Sequence, residues 1–366
     1  MSVVEKSAPL QRIVVIVVGV VVALVAAVAV VVSVDGDSSP TSAPSSAPSS
    51  TVGPSTTGST RATVAMRVAP IAIERDPDAS YRVYLQRTAP SGAVRVFAYI
   101  DMAQGELRYV DEQQSVLGSI VGRFADMLVV DSSRLRIIDR DFAGVSTVVD
   151  GDDFVGAWRD HAIVAEYFPE RTSFHEYRVD GSEARSVALV GRRPDAIGGI
   201  VRDSVVVERA GRLLLVGLAD ATVREFTIGK LLGVGGDRIF FTSCTMQATC
   251  TINEATLDGI VRTTPIGDYI DPESGDVVAQ VAPDGSALLL YEPKSGSEVV
   301  IEGSTRVPLH SDGGPRSYTW APTGRWLFRI DDEGRQLDAI DYRAGRVVTV
   351  PLPPDDTVSL RSVAAW

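Results

Sequence analysis

The alternation of apolar and polar positions divides the chain into three stretches. Residues 13–34 are apolar or small throughout, with Gly19 and Ser33 the least hydrophobic. As a helix rising ~1.5 Å per residue, this run spans roughly 33 Å, which matches a bilayer core of about 30 Å. It lacks the polar stripe that an interior helix of a soluble protein would show. The pattern therefore predicts a transmembrane helix over 13–34. A cleaved signal peptide competes, because Ala27-Val28-Ala29 offers a small-residue cleavage site. Apolar signal regions usually run only about 7–15 residues, which favours the uncleaved anchor. Lys6 and Arg12 precede the run, and Asp35 and Asp37 follow it. The positive-inside rule then keeps residues 1–12 as a cytoplasmic tail and exports the rest. Residues 35–60 are rich in Ser, Thr and Pro and nearly free of apolar side chains. Burial cannot offset their ordering entropy, so they are expected to form a disordered linker.

From residue 61 to 366 short runs of Val, Ile, Leu and Tyr recur between Gly, Asp and Pro, with no sustained 3.6-residue period. That predicts an all-β domain. One unit repeats within it: FADMLVV at 124–130, WRDHAIV at 158–164, VRDSVVV at 201–207 and GGDRIFF at 235–241. Each reads as a strand end, a tight turn with Asp in third place, and a strongly apolar strand. Asp suits such turns because it tolerates left-handed backbone angles. VAPDGSALLLY at 281–291 and WAPTGRWLFRI at 320–330 replace the Asp turn with Pro-x-Gly, and DPDASYRVYL at 76–85 is a weaker copy. The spacing of these seven marks is the length of a four-stranded propeller blade. A β-propeller of seven four-stranded blades is expected, with six or eight as the open alternatives. The ring also needs closure. The final RSVAAW resembles FVGAW at 154–158 and SYTW at 317–320, both inner strands ending in Trp. The C-terminal segment is therefore expected to supply the inner strand of the N-terminal blade, in competition with residues 63–73. Trp158, Trp320 and Trp366 share one repeat position and are expected to pack between blades.

APDGSALLL and WAPTGRWLF resemble the WD40-like repeats of TolB-type propellers, whose signature is a Trp, a Pro-Asp-Gly turn and an apolar strand. Pro283, Asp284 and Gly285 fit that pattern, as do Trp320, Pro322 and Gly324; Val281 stands where the Trp would be. The resemblance implies a propeller outside the cytoplasm used mostly for protein contacts; it does not imply a reaction. Anchor and ectodomain together resemble envelope proteins of actinobacteria.

Composition narrows the chemistry. The formal net charge is −12. Nucleic-acid binding needs clustered Lys and Arg, and none occur, so no nucleic-acid partner is expected. Cys244 and Cys250 flank TMQAT between two strands and, in an exported chain, are expected to form a structural disulfide. Redox pairs are normally C-x-x-C, and zinc needs more ligands than lie nearby. His161, His175 and His310 are the only histidines. With no G-x-S-x-G they suggest no hydrolytic triad and read as surface residues. Ser311-Asp312-Gly313 reads as an ordinary turn. The acidic groups Asp150, Asp152, Asp153 and Asp271, Glu273, Asp276 lack the alternation of a calcium loop and read as solvated turns.

The sequence thus points to a membrane-anchored, extracytoplasmic, non-catalytic binding module of the cell envelope. No catalytic residue, metal or cofactor is expected, and the partner would be an envelope protein or glycan. The alternative is a propeller hydrolase or lyase acting on a glycan or lactone at the central channel. Several buried carboxylates or histidines at the channel mouth would favour that alternative.

Overall fold

A computed structural model describes residues 68–70, 81–88, 94–110, 118–132, 134–142, 147–245, 250–265, 277–292, 296–309, 318–331, 335–352 and 360–365. All lie in the unit formed by Ala62–Trp366. The expected tail, anchor and linker (residues 1–60) lie outside the described residues, as do His310, the 311–313 turn, the 271–276 acidic group and Trp366. No helix occurs among the described residues.

The strands form seven antiparallel sheets, the blades of a propeller. Blade 1 holds β1 (Val68–Pro70), β2 (Arg82–Thr88), β3 (Val94–Asp101) and β4 (Glu106–Tyr109). Blade 2 holds β5 (Ser119–Phe124), β6 (Met127–Asp131), β7 (Leu135–Asp139) and β8 (Thr147–Val148). Blade 3 holds β9 (Asp153–Trp158), β10 (His161–Phe168), β11 (Arg171–Tyr177) and β12 (Glu183–Val190). Blade 4 holds β13 (Ala196–Val201), β14 (Ser204–Arg209), β15 (Arg212–Gly217) and β16 (Val223–Ile228). Blade 5 holds β17 (Lys230–Gly235), β18 (Arg238–Cys244), β19 (Cys250–Thr256) and β20 (Gly259–Pro265). Blade 6 holds β21 (Ala279–Val281), β22 (Leu288–Glu292), β23 (Ser297–Glu302) and β24 (Thr305–Leu309). Blade 7 holds β25 (Thr319–Trp320), β26 (Trp326–Ile330), β27 (Gln336–Asp341) and β28 (Arg346–Pro351). A last strand, β29 (Leu360–Ala365), follows.

The burial of each strand follows from its place in the blade. The middle strands β14 and β15 are buried on both faces by neighbouring blades, so they read as the unbroken runs SVVVER and RLLLVG. The outer strand β12 alternates exposed and buried positions toward its end, because only one face is covered. Seven apolar clusters join the blades in order. Tyr84 and Leu128 link blades 1 and 2; Ile137 and Val164 link 2 and 3; Phe174 and Val205 link 3 and 4. Leu215 and Phe241 link 4 and 5; Phe240 and Leu290 link 5 and 6; Leu289 and Leu327 link 6 and 7. Phe328 and Ile100 then join blade 7 to blade 1 and complete the circle.

Closure is covalently split. β29 pairs with β2, from Val83 opposite Ala365 to Arg87 opposite Leu360. The C-terminus therefore supplies the inner strand of blade 1. The competing N-terminal segment goes elsewhere: β1 pairs with β4 and adds a fifth, outermost strand. The pairing of β29 with β2 covers the inner edge of β2.

The inner turns differ in one detail from the sequence expectation. The left-handed residue is usually the one before the Asp: Ala125 (φ 46°), Arg202 (φ 55°) and Gly236 (φ 56°). Only in blade 3 does the Asp itself turn left-handed, with Arg159 at 51° and Asp160 at 61°. Those φ values match the two hairpin types whose twist suits paired strands, one left-handed at the first central residue and one at both.

Candidate functional site

The inner strands of blades 2 to 5 share a distortion. Against their neighbours, β5, β9, β13 and β17 each slip register by one residue beside a glycine: Gly122, Gly156, Gly199 and Gly233. These are β-bulges, which bend a strand and re-aim its side chains. Each glycine faces an apolar side chain of the next inner strand, namely Phe154, Ile200, Val234 and Val281. Inner strands thereby pack closely where a Cβ would intrude.

A cavity of about 580 Å³ opens at the start of two of these bulged strands, β9 and β13. That volume falls within the range of ligand sites, about 300–1,000 Å³. Phe154, Val155, Ile197 and the backbone of Gly198–Gly199 form part of its wall. Its polar groups come from three places: Asp153 on β9, Tyr167 near the end of β10, and Arg193 and Asp195 in the connection between blades 3 and 4.

Each polar group is held. The Tyr167 hydroxyl donates to Asp153 Oδ2 at 2.6 Å, and the Tyr167 amide donates to Asp152 Oδ2 at 2.7 Å. The Arg193 guanidinium lies 3.6 Å from the centre of the Tyr167 ring, a cation–π contact. Asp195 accepts from the Ala210 amide at 2.7 Å and from Arg192 at 2.5 Å. Those two donors hold its carboxyl below the usual carboxylate range, the amide having the larger effect. Burial, followed by the bond to the Asp153 carboxylate, pushes the Tyr167 phenol up to about 12. Tyr167 therefore stays protonated at neutral pH and acts as a neutral hydrogen-bonding group.

The residues singled out in the sequence lie elsewhere. Cys244 and Cys250 stand opposite each other in the β18–β19 ladder and are bridged, with Cα atoms 4.0 Å apart. Their hairpin joins the second and third strands of blade 5, and Tyr167 lies where the same strands of blade 3 meet. Hairpin and cavity thus share one end of the ring. Trp158 is buried in the cluster between blades 3 and 4, and Trp320 in that between blades 6 and 7. Asp150 has its backbone carbonyl bonded by the Tyr177 hydroxyl at 2.9 Å.

His161 and His175 are paired rather than bare surface residues. His161 Nδ1 lies 2.7 Å from Glu176, which also pairs with Arg185 at 3.1 Å. In blade 5, Glu254 occupies the equivalent ladder position and pairs with Arg238 and Arg262. His175 bridges Glu166 and Glu183, each at 3.1 Å. Neither histidine lines the cavity. Among the described residues no group of three or more His, Cys, Asp or Glu could hold a metal ion.

Sequence reasoning passed over Tyr167, Arg193 and Asp195, and read Asp153 only as a turn residue. One signal was present: the glycines at 122, 156, 199 and 233 occupy the same place in four consecutive inner strands.

No protein-family model and no curated protein matches the chain. Some solved structures are similar at low identity. Hsv2 of Kluyveromyces lactis is 13% identical over 74% of this chain and 94% of that chain, with a TM-score of 0.44. The β-propeller domain of Myceliophteria thermophila Cps50 (Swd1) is 12% identical over 65% of this chain and 88% of that chain, with a TM-score of 0.42. The dihydro-heme d1 dehydrogenase NirN, in complex with DHE, is 13% identical over 81% of this chain and 77% of that chain, with a TM-score of 0.46.

Proposed function

We propose that the chain is a membrane-anchored, extracytoplasmic propeller that acts as a non-catalytic binding module of the cell envelope, with the cavity of blades 3 and 4 as its ligand site. The apolar run at 13–34 and its flanking charges support the anchor and its orientation. The Pro-x-Gly turns support kinship with the TolB type. The observation that carries the binding reading is the state of the cavity's polar groups. Tyr167, Asp153, Arg193 and Asp195 are fixed by bonds to one another or to neighbouring backbone, and the phenol is held protonated. Such groups can recognise a ligand by hydrogen bonding from rigid strands and short connections.

The test uses the full chain in intact cells with a photoreactive residue in place of Val155, in the cavity wall. A second chain carries it in place of Val347, exposed on the outer strand of blade 7. The reading predicts cross-links to an envelope component from position 155 and not from 347, and digestion of the propeller by protease added to spheroplasts. Protection from that protease, or cross-links only to cytoplasmic components, contradicts it.

A further inference from the structure

The cavity's chemistry narrows the class of ligand it takes. Its wall carries two carboxylates, Asp153 and Asp195, and one guanidinium, Arg193. Arg192 neutralises Asp195 from outside the wall, which leaves Asp153 facing Arg193 on the wall itself, with Asp152 behind them on the Tyr167 amide. An anionic ligand would meet both carboxylates, and a cationic one would meet Arg193. A charged ligand of either sign would thus meet a group of its own sign on the wall. Donors and acceptors are nevertheless plentiful. A carboxylate oxygen has more than one acceptor position, so Asp153 retains acceptor capacity beyond the Tyr167 hydroxyl. A guanidinium carries five donors, more than its contact with Tyr167 uses.

Carboxylate and guanidinium are planar groups that present two atoms side by side, which suits bidentate bonding to a pair of adjacent polar atoms. A ligand that is neutral, and that carries adjacent hydroxyls serving as both donor and acceptor, satisfies them without importing charge. Beside these groups Phe154, Val155 and Ile197 offer apolar surface for the C–H face of such a ligand. We infer that the cavity binds a neutral carbohydrate, with Asp153 and Arg193 on its hydroxyls and Tyr167 holding both in place. This rests on the cavity being a binding site, as proposed above. The Tyr167–Asp153 bond and the Arg193 stack fix the two planar groups in advance, which lowers the ordering cost of binding.

The test is calorimetric titration of the full chain in detergent with a neutral oligosaccharide panel of glucose, galactose and mannose trimers. A uronic-acid trimer and a tri-lysine peptide serve as charged comparators. Asp153→Asn keeps the shape of the group and removes its charge. Tyr167→Phe removes only the hydroxyl that orients it. Binding of at least one neutral trimer, weakened roughly tenfold by Asp153→Asn and less by Tyr167→Phe, supports the inference, since hydrogen bonds to charged groups contribute on the order of 1.5–3 kcal/mol. Preference for either charged comparator, no binding of any neutral trimer, or binding indifferent to both substitutions overturns it. If the trimers fail while Val155-site cross-links to an envelope component persist and are lost in the Asp153→Asn chain, the carbohydrate assignment falls and the binding reading stands. If the cross-links are absent as well, both fall.

Discussion

Blades 2 to 5 and blades 6 and 7 build the inside of the ring in two ways. In the first set the inner strand is six residues long, carries a glycine bulge, and turns back through a two-residue hairpin with a left-handed residue. In the second set the inner strand is only three or two residues long and shows no bulge. It turns through Pro-x-Gly, where the Gly285 amide donates to the Ala282 carbonyl at 2.8 Å and the Gly324 amide to the Ala321 carbonyl at 2.9 Å. The recognisable turn motif therefore marks the blades whose inner strands are shortest. The cavity lies in the blades that depart from that motif, where longer, bent strands leave room between their starting ends. Motif resemblance located the architecture, and the cavity lies where the chain deviates from the motif.

The largest expected effect breaks the second design. Gly285 has φ +72°, and a Cβ there would run into the backbone carbonyl oxygen of Gly235 in the preceding blade. Gly345, at φ +61°, has nothing within 4 Å of the same position. Left-handed strain alone costs an L-residue roughly 1–2 kcal/mol. Gly345→Ala should show about that loss, whereas Gly285→Ala adds a clash with immovable backbone and should cost about 3 kcal/mol or more. Denaturant unfolding of both variants measures the difference; equal losses would mean that blades 5 and 6 do not nest at this turn.

A smaller effect tests the first design. Gly199 sits at φ +119°, a region open almost only to glycine, and its Cβ would come 2.7 Å from Val234 Cγ2. The neighbour here is a side chain that can shift, so Gly199→Ala should cost about 1–3 kcal/mol. Because Gly199 lines the cavity, this variant should also alter the Tyr167 environment. The accompanying check is an unchanged phenol titration in Gly285→Ala and a changed one in Gly199→Ala.

The smallest effect concerns alkaline pH. Burial first, and the bond to Asp153 second, push Tyr167 up to about 12; burial likewise pushes Tyr177 up to about 12. An unfolded tyrosine titrates near pH 10. A raised phenol pKa means that the fold favours the protonated form, so this stabilisation is present below about pH 10 and is lost as pH rises from about 10 to 12. Thermal midpoints should decline over that window, less steeply in Tyr167→Phe. A flat profile there would contradict the buried, bonded phenol.

The two designs also show what sequence carries. The ring, its seven marks, the cysteine hairpin and the C-terminal inner strand were legible because each rests on local pattern: a repeated turn, two Cys at hairpin spacing, and an inner-strand ending in RSVAAW like that of FVGAW and SYTW. The cavity was not. Tyr167 and Asp153 meet across the β9–β10 ladder within blade 3, and Arg193 reaches the Tyr167 ring from the connection to blade 4, so none of the three is a neighbour of another along the chain. Asp153 within DGDD looks like any solvated turn, and its partner is a tyrosine fourteen residues away. The paired histidines were missed for the same reason, since Glu176 meets His161 across a ladder and not along the chain.

Both designs require a closed ring, because every blade is buried by its neighbours on both sides. Amide hydrogen exchange of the full chain, read peptide by peptide, tests that closure most directly. Amides of Leu360–Ala365 that lie in the ladder with Arg82–Thr88 are predicted to be protected as strongly as those of β2 itself and to open with them. Exchange of residues 360–365 at the rate of a free tail, with β2 still protected, would contradict the C-terminal closure on which the seven-bladed ring depends.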